Sequence, residues 1–539
     1  MKATPHVEWT RGVVSQALIA LKARCSVEGR LSPDLLDQHQ QATYDLALSA
    51  AEVGCAEAYL INASTGTSLT ETMANTFAAQ MIQSTLNRLA ASPQGLGLGR
   101  PVLTPSDELL SFLEEALSPE NLSEIGAALS AGNPQDARGL PEAQQLMADS
   151  FSQFADDVVA PLAEAIHRED QMIPDAILDG LKALGCFGLS VPEQYGGLLP
   201  DDREDTLGMI VVTEELSRVS LGGAGSLITR PEILSRALIE GGTEEQKAHW
   251  LPGVAAGDTL CAVAITEPDY GSDVASTKLK ATMTEEGWLL DGAKTWSTFA
   301  GKANVLLTLA RTNPDPSLGH RGLSLFLVEK PSTDEDAFTV NQPGGGQLTG
   351  QSISTVGYRG MHSYQLFFDQ FLVPHSHVIG ESQGLGRGFY FTMRGFTGGR
   401  IQTAARACGL MQGAFEHALR YSRDRKVFGK AIGDYQLSQI KIAKMAMAIA
   451  AGQQFTYQVG RLMDEGRGQM EASLVKLITC KSAEWVTREA MQLHGGMGYA
   501  EETAVSRYWL DARVLSIFEG TEETLALKVV GRALIEQAA

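Results

Sequence analysis

The spacing of apolar residues changes twice along this chain, and that change limits the possible folds more than any other feature of the sequence. From Glu142 to about Leu260 apolar residues recur at helical spacing, and this spacing returns from about Gly384 onwards. Between these segments the apolar residues fall in short β-rich runs, which are Leu260–Ile265, Leu279–Met283, Trp288–Leu290, Val305–Ala310, Leu323–Val328 and Tyr364–Phe368. The pattern predicts a compact β domain between two helical domains.

A further helical module precedes these domains. Helical spacing runs from Leu35 to Leu60 and from Met73 to Leu89, which predicts a helical hairpin, and short helices are expected at 107–117 and 120–129. Gly132–Asp136 is typical of a linker. We therefore expect an α+β protein with an N-terminal helical extension (1–142), a helical domain (143–260), a middle β domain (261–378) and a C-terminal helical bundle (379–539).

Charge and cysteine content exclude several functional classes. The 539 residues include 43 basic and 64 acidic side chains, and the net charge of -21 disfavours binding to nucleic acid or to anionic membranes. The six cysteines are scattered without a C-x-x-C pair, so we expect small buried hydrophobic side chains rather than disulfides or a metal site. No apolar signal core begins the sequence and no later run is long enough to span a bilayer, which predicts a cytoplasmic protein.

One carboxylate near the end of the sequence is a candidate general base. Glu519 follows Ile517 and Phe518 and precedes Gly520. Apolar neighbours that remove water from a carboxylate raise its pKa, and a glycine lets a ligand approach the backbone closely. The alternative is a simple turn into a last helix, with Thr521 as N-cap and acidic residues in the first turn. The segment by itself leaves both interpretations open.

Four other motifs precede this segment. In chain order they are Thr266–Asp273, Lys294–Thr298, Arg425–Lys430 and His494–Tyr499. Together with Ile517–Thr521 they resemble the acyl-CoA dehydrogenase family of FAD enzymes, over roughly residues 143 to 539. The resemblance implies an acyl-CoA dehydrogenase-like fold, and a reaction that removes a proton from Cα and a hydride from Cβ of an acyl thioester.

Individual roles follow from this resemblance. Glu519 corresponds to the base; some members carry the base on the helix just before the arginine that Arg400 matches, and here that position is Gly399. The implied FAD contacts are Ile265, Thr266, Ser272, Trp296, Thr298, Arg425, Phe428, Gln436, Gln492, Gly495, Gly496, Thr521 and Glu523. The implied substrate contacts include Ser272, Arg400 and Gly520. Electron-transfer flavoprotein is the implied acceptor, and the implied assembly is a homodimer or a dimer of dimers.

The substrate is indicated by three features. The N-terminal extension, Thr229–Pro231 and the run Met393–Arg400 resemble family members that oxidise (2S)-methylsuccinyl-CoA to mesaconyl-CoA in the ethylmalonyl-CoA pathway. A second carboxylate in the acyl group needs a cation or several hydrogen bonds when it is buried, and Arg230 and Arg394 are the candidates. For Arg230 the alternative is a surface arginine in a loop.

Other functions stay open on the sequence. They are a dehydrogenase for another short branched acyl-CoA, an acyl-CoA oxidase, a flavin monooxygenase on the same fold, and a catalytically inactive scaffold.

Overall fold

The computed structural model describes residues 1–132 and 138–539. The predicted linker Gly132–Asp136 therefore lies outside the described residues, apart from Gly132. The chain forms two compact units, and each is described by itself below. Residues 1–148 and 403–539 form the first unit, and residues 149–402 form the second.

Helices make up most of the molecule. The α-helices of the first 260 residues are α1 (Thr4–Cys25), α2 (Pro33–Gln38), α3 (Gln40–Ala63), α4 (Ser68–Ala91), α5 (Asp107–Ala116), α6 (Pro119–Ser130), α7 (Glu142–Phe154), α8 (Ala160–Arg168), α9 (Asp175–Ala183), α10 (Thr206–Val219), α11 (Thr229–Gly241) and α12 (Glu244–Ala256). Those that follow are α13 (Glu381–Gly384), α14 (Gly388–Asp424), α15 (Gln436–Asp464), α16 (Gln469–His494), α17 (Ala504–Leu515), α18 (Glu522–Thr524) and α19 (Arg532–Gln537). One π-helical segment, Leu525–Gly531, joins the last two.

Twelve strands accompany these helices in the described residues. Two short hairpins are β1 (Ser26–Val27) with β2 (Arg30–Leu31), and β11 (Lys426–Val427) with β12 (Lys430–Ala431). The other eight strands form one sheet: β3 (Cys261–Ala264), β4 (Lys280–Met283), β5 (Gly287–Thr298), β6 (Val305–Arg311), β7 (Leu323–Glu329), β8 (Ala337–Asn341), β9 (Gln347–Ile353) and β10 (Ser363–Pro374). The strand order is β3-β6-β4-β5-β10-β9-β8, with β7 paired to β6.

The core of the second unit explains why this middle segment is β-rich. Strands β6 and β7 are buried on both sides, so almost every position is apolar. Leu307 and Leu325 pack with helical residues such as Leu234 of α11 and Trp250 of α12. Side chains that point to the opposite side, such as Phe326, pack with residues of β5, β9 and β10.

All six predicted strands are present, but the sequence pattern missed the other two strands of the eight-stranded sheet and the four strands of the two short hairpins. In β8 exposed and half-buried residues alternate, and β9 contains Gln347, Thr349, Gly350 and Gln351. Strands with so little apolar content carry a weak sequence signal. Strands β5 and β10 also extend well beyond the apolar runs that predicted them. Outside these runs, buried and exposed residues are mixed, so the sequence carries no continuous apolar signal there.

The first unit contains the predicted helical hairpin, formed by α3 and α4. Buried Glu52 on α3 receives a bidentate ion pair from Arg88 on α4, with Nη–Oε distances of 2.6 and 2.7 Å. Helix α6 approaches α15 so closely that a Cβ at Gly126 would lie 2.0 Å from the carbonyl oxygen of Gln439. The N-terminal extension thus packs directly on the C-terminal bundle. Helix α1 belongs to this module and was not predicted.

Two further predictions can be compared with the structure. All six cysteines are buried free thiols, as predicted. In the described residues, no helix combines the length and apolar content needed to cross a bilayer.

Candidate active site

Glu519 lies at the centre of a short loop between α17 and α18. We call Ser516–Glu522 the Glu519 loop. The loop is closed by a backbone hydrogen bond from Glu522 N to Ser516 O at 3.1 Å. Helix α16 holds it at two further points, since buried Lys476 donates to Gly520 O at 2.7 Å and Ser516 donates to Glu484 at 2.6 Å.

The backbone of the loop is left-handed at its centre. Glu519 has φ 56° and Gly520 has φ 95°. A left-handed conformation is uncommon for a residue with a Cβ and is characteristic of positions held by function. Among the described residues, no donor reaches the Glu519 carboxylate. Its oxygens are therefore available to accept a proton.

The expectation that Ile517 shields Glu519 is wrong for this chain. Ile517 is 49% exposed because the turn after α17 directs it to solvent. Phe518 is half-buried, and its ring lies 5.4 Å from the guanidinium of fully buried Arg406. The alternative interpretation of the segment is confirmed in part, because Thr521 caps α18 through a hydrogen bond from Thr524 N at 3.3 Å. The cap and the left-handed glutamate coexist in the one loop.

Glu522, at the end of the loop, is held by an ion pair that sequence analysis missed. Lys481 on α16 donates to its carboxylate at 2.8 Å, and the hydroxyl of Tyr44 on α3 hydrogen-bonds to the same oxygen. Burial opposes the charge of Glu522, but the bonds from Lys481 and Tyr44 prevail and lower its pKa. Burial and the bond to Glu522 raise the pKa of Tyr44. No sequence signal links residues that lie 478 positions apart.

In the second unit, a buried ion pair brings together several of the predicted FAD contacts. Lys294 donates to Glu267 and to the carbonyl of Ile265, each at 2.8 Å, and Thr295 N donates to Thr266 O at 2.9 Å. Burial lowers the pKa of Lys294 to about 8 despite the opposing effect of Glu267. The pair fixes the end of β3 beside β5.

Trp296 is the exposed member of this group. It is 56% exposed and has φ 56°, whereas its neighbours Thr295 and Ser297 are buried. Nearby on β5, Thr298 hydrogen-bonds to Ser363 of β10 at 2.9 Å. Ser272 lies exposed in the loop after β3. The structure therefore presents the Trp296 side chain at the surface, one residue along the chain from Thr295, which bonds to Thr266.

In the first unit, the β11–β12 hairpin holds two predicted FAD contacts. Phe428 is 99% exposed and has φ 49°, and it forms the hairpin turn with Gly429. Arg425 is exposed at the start of the hairpin. Tyr435 supports the hairpin by donating to Val427 O at 2.7 Å. A large aromatic residue therefore stands in a left-handed, solvent-facing turn, where it makes little contact with the rest of its own chain.

A ring stack connects the end of α14, which leads into this hairpin, with the end of α16, which leads into the predicted glycines. Tyr421 on α14 stacks on His494 at the end of α16, with ring centroids 4.3 Å apart. Burial lowers the pKa of His494, which keeps the imidazole neutral at physiological pH. Gly495 and Gly496 follow directly and are exposed, and a Cβ built on either would have no heavy atom within 4 Å. The remaining predicted contacts of this unit, Gln436, Gln492 and Glu523, are also exposed.

These residues fit FAD. An exposed indole suits a flat aromatic ring system, while an exposed guanidinium and two glycines with open backbone suit a diphosphate. Left-handed non-glycine residues support this reading: of nine in the described chain, Trp296, Phe428 and Glu519 were predicted site residues. Sequence patterns do not reveal φ, so this signal comes from the structure alone.

The structure alters the interpretation of Arg230 more than that of the other candidate substrate contacts. It lies on α11 and is 6% exposed, so the alternative of a surface arginine in a loop is wrong. Its guanidinium donates to Ser226 O at 2.8 Å and to the hydroxyl of Tyr358 at 3.1 Å. Arg394, in contrast, has a side chain that is 57% exposed and lies 3.9 Å from Glu240. Arg400 is half-buried on α14.

Comparisons with known proteins agree with this geometry. Models of the acyl-CoA dehydrogenase N-terminal, middle and C-terminal domains match residues 141–258, 262–371 and 386–535. The chain is 36% identical to (2S)-methylsuccinyl-CoA dehydrogenase of Cereibacter sphaeroides, over 99% of this chain and 97% of that protein.

Two solved structures are similar over a smaller part of the chain. Butyryl-CoA dehydrogenase from Megasphaera elsdenii matches with a TM-score of 0.67 and 30% identity, over 74% of this chain and all of that chain (100%). A glutaryl-CoA dehydrogenase from Mycobacterium smegmatis, in complex with FADH2, matches with a TM-score of 0.65 and 27% identity, over 74% of this chain and 96% of that one.

Proposed function

Because the chain belongs to the acyl-CoA dehydrogenase family of FAD-dependent oxidoreductases, we propose that it oxidises (2S)-methylsuccinyl-CoA to mesaconyl-CoA, with Glu519 as the base. The relative of that name aligns along 99% of this chain. That alignment includes the N-terminal extension, which the family models do not cover. The substrate proposal rests on one observation: the guanidinium of Arg230 is buried, and its hydrogen-bond acceptors are neutral.

Arg230 is a buried cation without an anion. Its two hydrogen-bond acceptors, a carbonyl and a phenol, are neutral, and among the described residues no carboxylate pairs with it. Nearby Glu232 does not serve, because it is bonded to Arg236 at 2.7 Å. A guanidinium has five donors, and an uncompensated buried charge is costly. The carboxylate of a dicarboxylic acyl group would supply the missing partner.

The hydroxyl of Ser226 is a second hydrogen-bond donor on the residue whose carbonyl Arg230 contacts. It is fully buried, and its hydroxyl has no hydrogen-bond partner among the described residues. Its carbonyl already accepts from Arg230. A carboxylate has two oxygens, so one could receive the guanidinium and the other the hydroxyl. This pairing favours a dicarboxylic over an uncharged branched acyl group.

Glu519 performs the proton transfer in this proposal. Its carboxylate carries no hydrogen bond from the described residues and stands at the centre of a closed loop, so it can accept the proton from the substrate Cα. Gly520 lets the thioester approach the backbone beside it. FAD held by the residues named below would supply the acceptor for the hydride from Cβ. Gly399 leaves no carboxylate at the alternative base position.

The predicted FAD contacts described above hold the cofactor in this proposal. Ile265, Thr266, Ser272, Trp296 and Thr298 would contact the flavin ring, and Arg425, Phe428, Gln436, Gln492, Gly495, Gly496, Thr521 and Glu523 the rest of the molecule. The 99% exposure of Phe428 supports a homodimer in which this hairpin reaches a partner subunit. Electron-transfer flavoprotein is the proposed electron acceptor.

The substrate proposal is tested by replacing Arg230 with leucine. We expect the preference for methylsuccinyl-CoA over 2-methylbutanoyl-CoA to fall by about 2 to 5 kcal/mol, because the substrate carboxylate would be buried without a cation. The measurement is the ratio of kcat/KM for the two substrates. Arg394→Leu is the matched control and should leave the ratio unchanged, since that side chain is exposed.

Three results would contradict the proposal. Poor activity of the wild type on methylsuccinyl-CoA would reject this substrate, in favour of another short branched acyl-CoA. An unchanged ratio in Arg230→Leu would reject the role of Arg230. Stoichiometric hydrogen peroxide during turnover would indicate an oxidase instead.

A further inference from the structure

Among the described residues, the phenol of Tyr44 is the group of the N-terminal extension that hydrogen-bonds to the Glu519 loop, at Glu522. We propose that Tyr44 is a positioning residue, which fixes the Glu519 loop by holding Glu522 from the extension side. This inference rests on the proposed role of Glu519 as the base. It assigns a task in the reaction to a module that lies outside the three matched family domains, which begin at residue 141.

Three contacts hold the Glu519 loop. Two of them come from α16 alone, and the third comes from α16 and the extension together. Lys476 and Glu484 hold Gly520 and Ser516, while Lys481 and Tyr44 together hold Glu522. Lys481 and Tyr44 also lie 3.4 Å from each other, so the three groups form a closed triangle. The anchor on Glu522 is the one that needs the extension.

The position of Glu522 in the loop explains why this anchor affects Glu519. Glu522 supplies the backbone N–H that closes the loop on Ser516. Glu519 stands midway between these two ends in a left-handed conformation that needs support from its surroundings. A shift of Glu522 would therefore loosen the closure and change where the Glu519 carboxylate points.

The charges around Glu522 support a fixed rather than a mobile side chain. The Glu522 side chain is 17% exposed, and Lys481 is 44% exposed. Arg513 adds a favourable charge from α17. Because Lys481 is partly solvated, its ion pair alone is a weak restraint. The phenol of Tyr44 is attached to a rigid ring on a packed helix and restricts the carboxylate in a way that a flexible lysine does not.

The extension also contacts the segment after the loop, which supplies an internal control. Asp37 receives an ion pair from Lys528 at 2.6 Å, and Lys22 donates to the carbonyl of Ala538 at 2.6 Å. Thr43 packs against Gly531, where a Cβ would lie 2.3 Å from its methyl group. These contacts fasten the extension to the last helices but do not touch residues 516–522.

The test compares Tyr44→Phe with Asp37→Asn. Tyr44→Phe removes one hydroxyl and keeps the ring, so we expect kcat to fall roughly tenfold or more, with KM and FAD content unchanged. Hydrogen exchange of the 516–522 amides in the holoenzyme should become faster in this variant. Asp37→Asn should leave both kcat and the exchange of these amides at wild-type values.

A second variant keeps the proposal falsifiable if either protein is unstable. Lys481→Met removes the other partner of Glu522, and its effect on kcat should not add to that of Tyr44→Phe, because both act through one carboxylate. Equal kcat and equal loop exchange in Tyr44→Phe and wild type would overturn the proposal.

The role of Tyr44 and the role of Glu519 as the base can be refuted separately. If Glu519→Gln kept its activity, Glu519 would not be the base. Faster loop exchange in Tyr44→Phe would still show that Tyr44 fixes the loop. Normal exchange in that variant, with Glu519→Gln inactive, would refute the role of Tyr44 alone.

Discussion

The proposed role of Glu519 as the base depends on its backbone conformation as much as on its side chain. Glu519 has a left-handed backbone at φ 56°, and the adjoining Gly520 at φ 95° continues the left-handed turn. Conformations of this kind cost on the order of 1–3 kcal/mol, so the surrounding contacts must over-determine them. Lys476, Ser516 and Glu522 supply those contacts.

We predict that Glu519→Gln binds FAD and substrate but loses several orders of magnitude in the rate of flavin reduction. The amide is nearly isosteric with the carboxylate but cannot accept the Cα proton. Anaerobic stopped-flow absorbance of the flavin measures this rate directly. Glu523→Gln, one residue beyond the loop, is a useful comparison, since it alters a proposed FAD contact and not the proposed proton acceptor. Near-normal flavin reduction by Glu519→Gln would refute the assignment.

At the scale of elements, sequence periodicity located the helices and the buried strands well. The helical hairpin of the extension and all six apolar strands are present, because each buries a regular apolar face. Strands β8 and β9 and the hairpin around Phe428 could not be found this way. Their residues are polar or exposed, and their conformations depend on strand pairing and turn geometry rather than on apolar spacing.

The β11–β12 hairpin provides a prediction about cofactor retention. Arg425→Ala should lower the FAD content of the purified protein, because the variant loses the guanidinium proposed for the diphosphate. If FAD is shared between subunits, loss of the cofactor should also weaken the dimer. The flavin-to-protein absorbance ratio and the size by light scattering measure both effects.

Lys426→Ala is the matched control for this experiment. Lys426 is an exposed cation on the same hairpin, one residue along, and it has not been assigned a contact. It should therefore retain full FAD and unchanged assembly. An equal loss of FAD in both variants would point to the net charge of the hairpin rather than to Arg425.

At the scale of the whole molecule, sequence motifs identified the family but not how the extension takes part. Motifs are local, whereas Tyr44 meets Glu522 only after residues 1–148 and 403–539 have formed one unit. The burial of Arg230 is likewise a property of tertiary packing. Both findings depend on which distant residues become neighbours, and no periodicity encodes this.

The ion pair of Glu522 with Lys481, together with its bond to Tyr44, makes the stability of the molecule sensitive to acid. The pKa of Glu522 is lowered from 4.5, so its contribution is present above pH 4.5 and is lost as the pH falls through the folded value. Glu522→Gln should therefore destabilise the protein at pH 7 by about 1 kcal/mol, since Lys481 is partly exposed, and by less in acid. Urea unfolding at several pH values measures this difference.

Glu502→Gln serves as the control for acid sensitivity. Glu502 is exposed and has no partner among the described residues. Its replacement should not change the pH dependence of unfolding. A wild-type pH dependence in Glu522→Gln would show that the ion pair contributes nothing to stability.

The discontinuous first unit also has a consequence for the order of events during synthesis. Residue 522 leaves the ribosome 478 residues after Tyr44, which corresponds to roughly 25 to 100 s of translation. Until α15 and α16 have been made, the surface of α3 that packs on them has no native partner to cover it. The nascent extension must therefore be kept from aggregating while the second unit is made, and the Glu519 loop is among the last parts of the enzyme to acquire its structure.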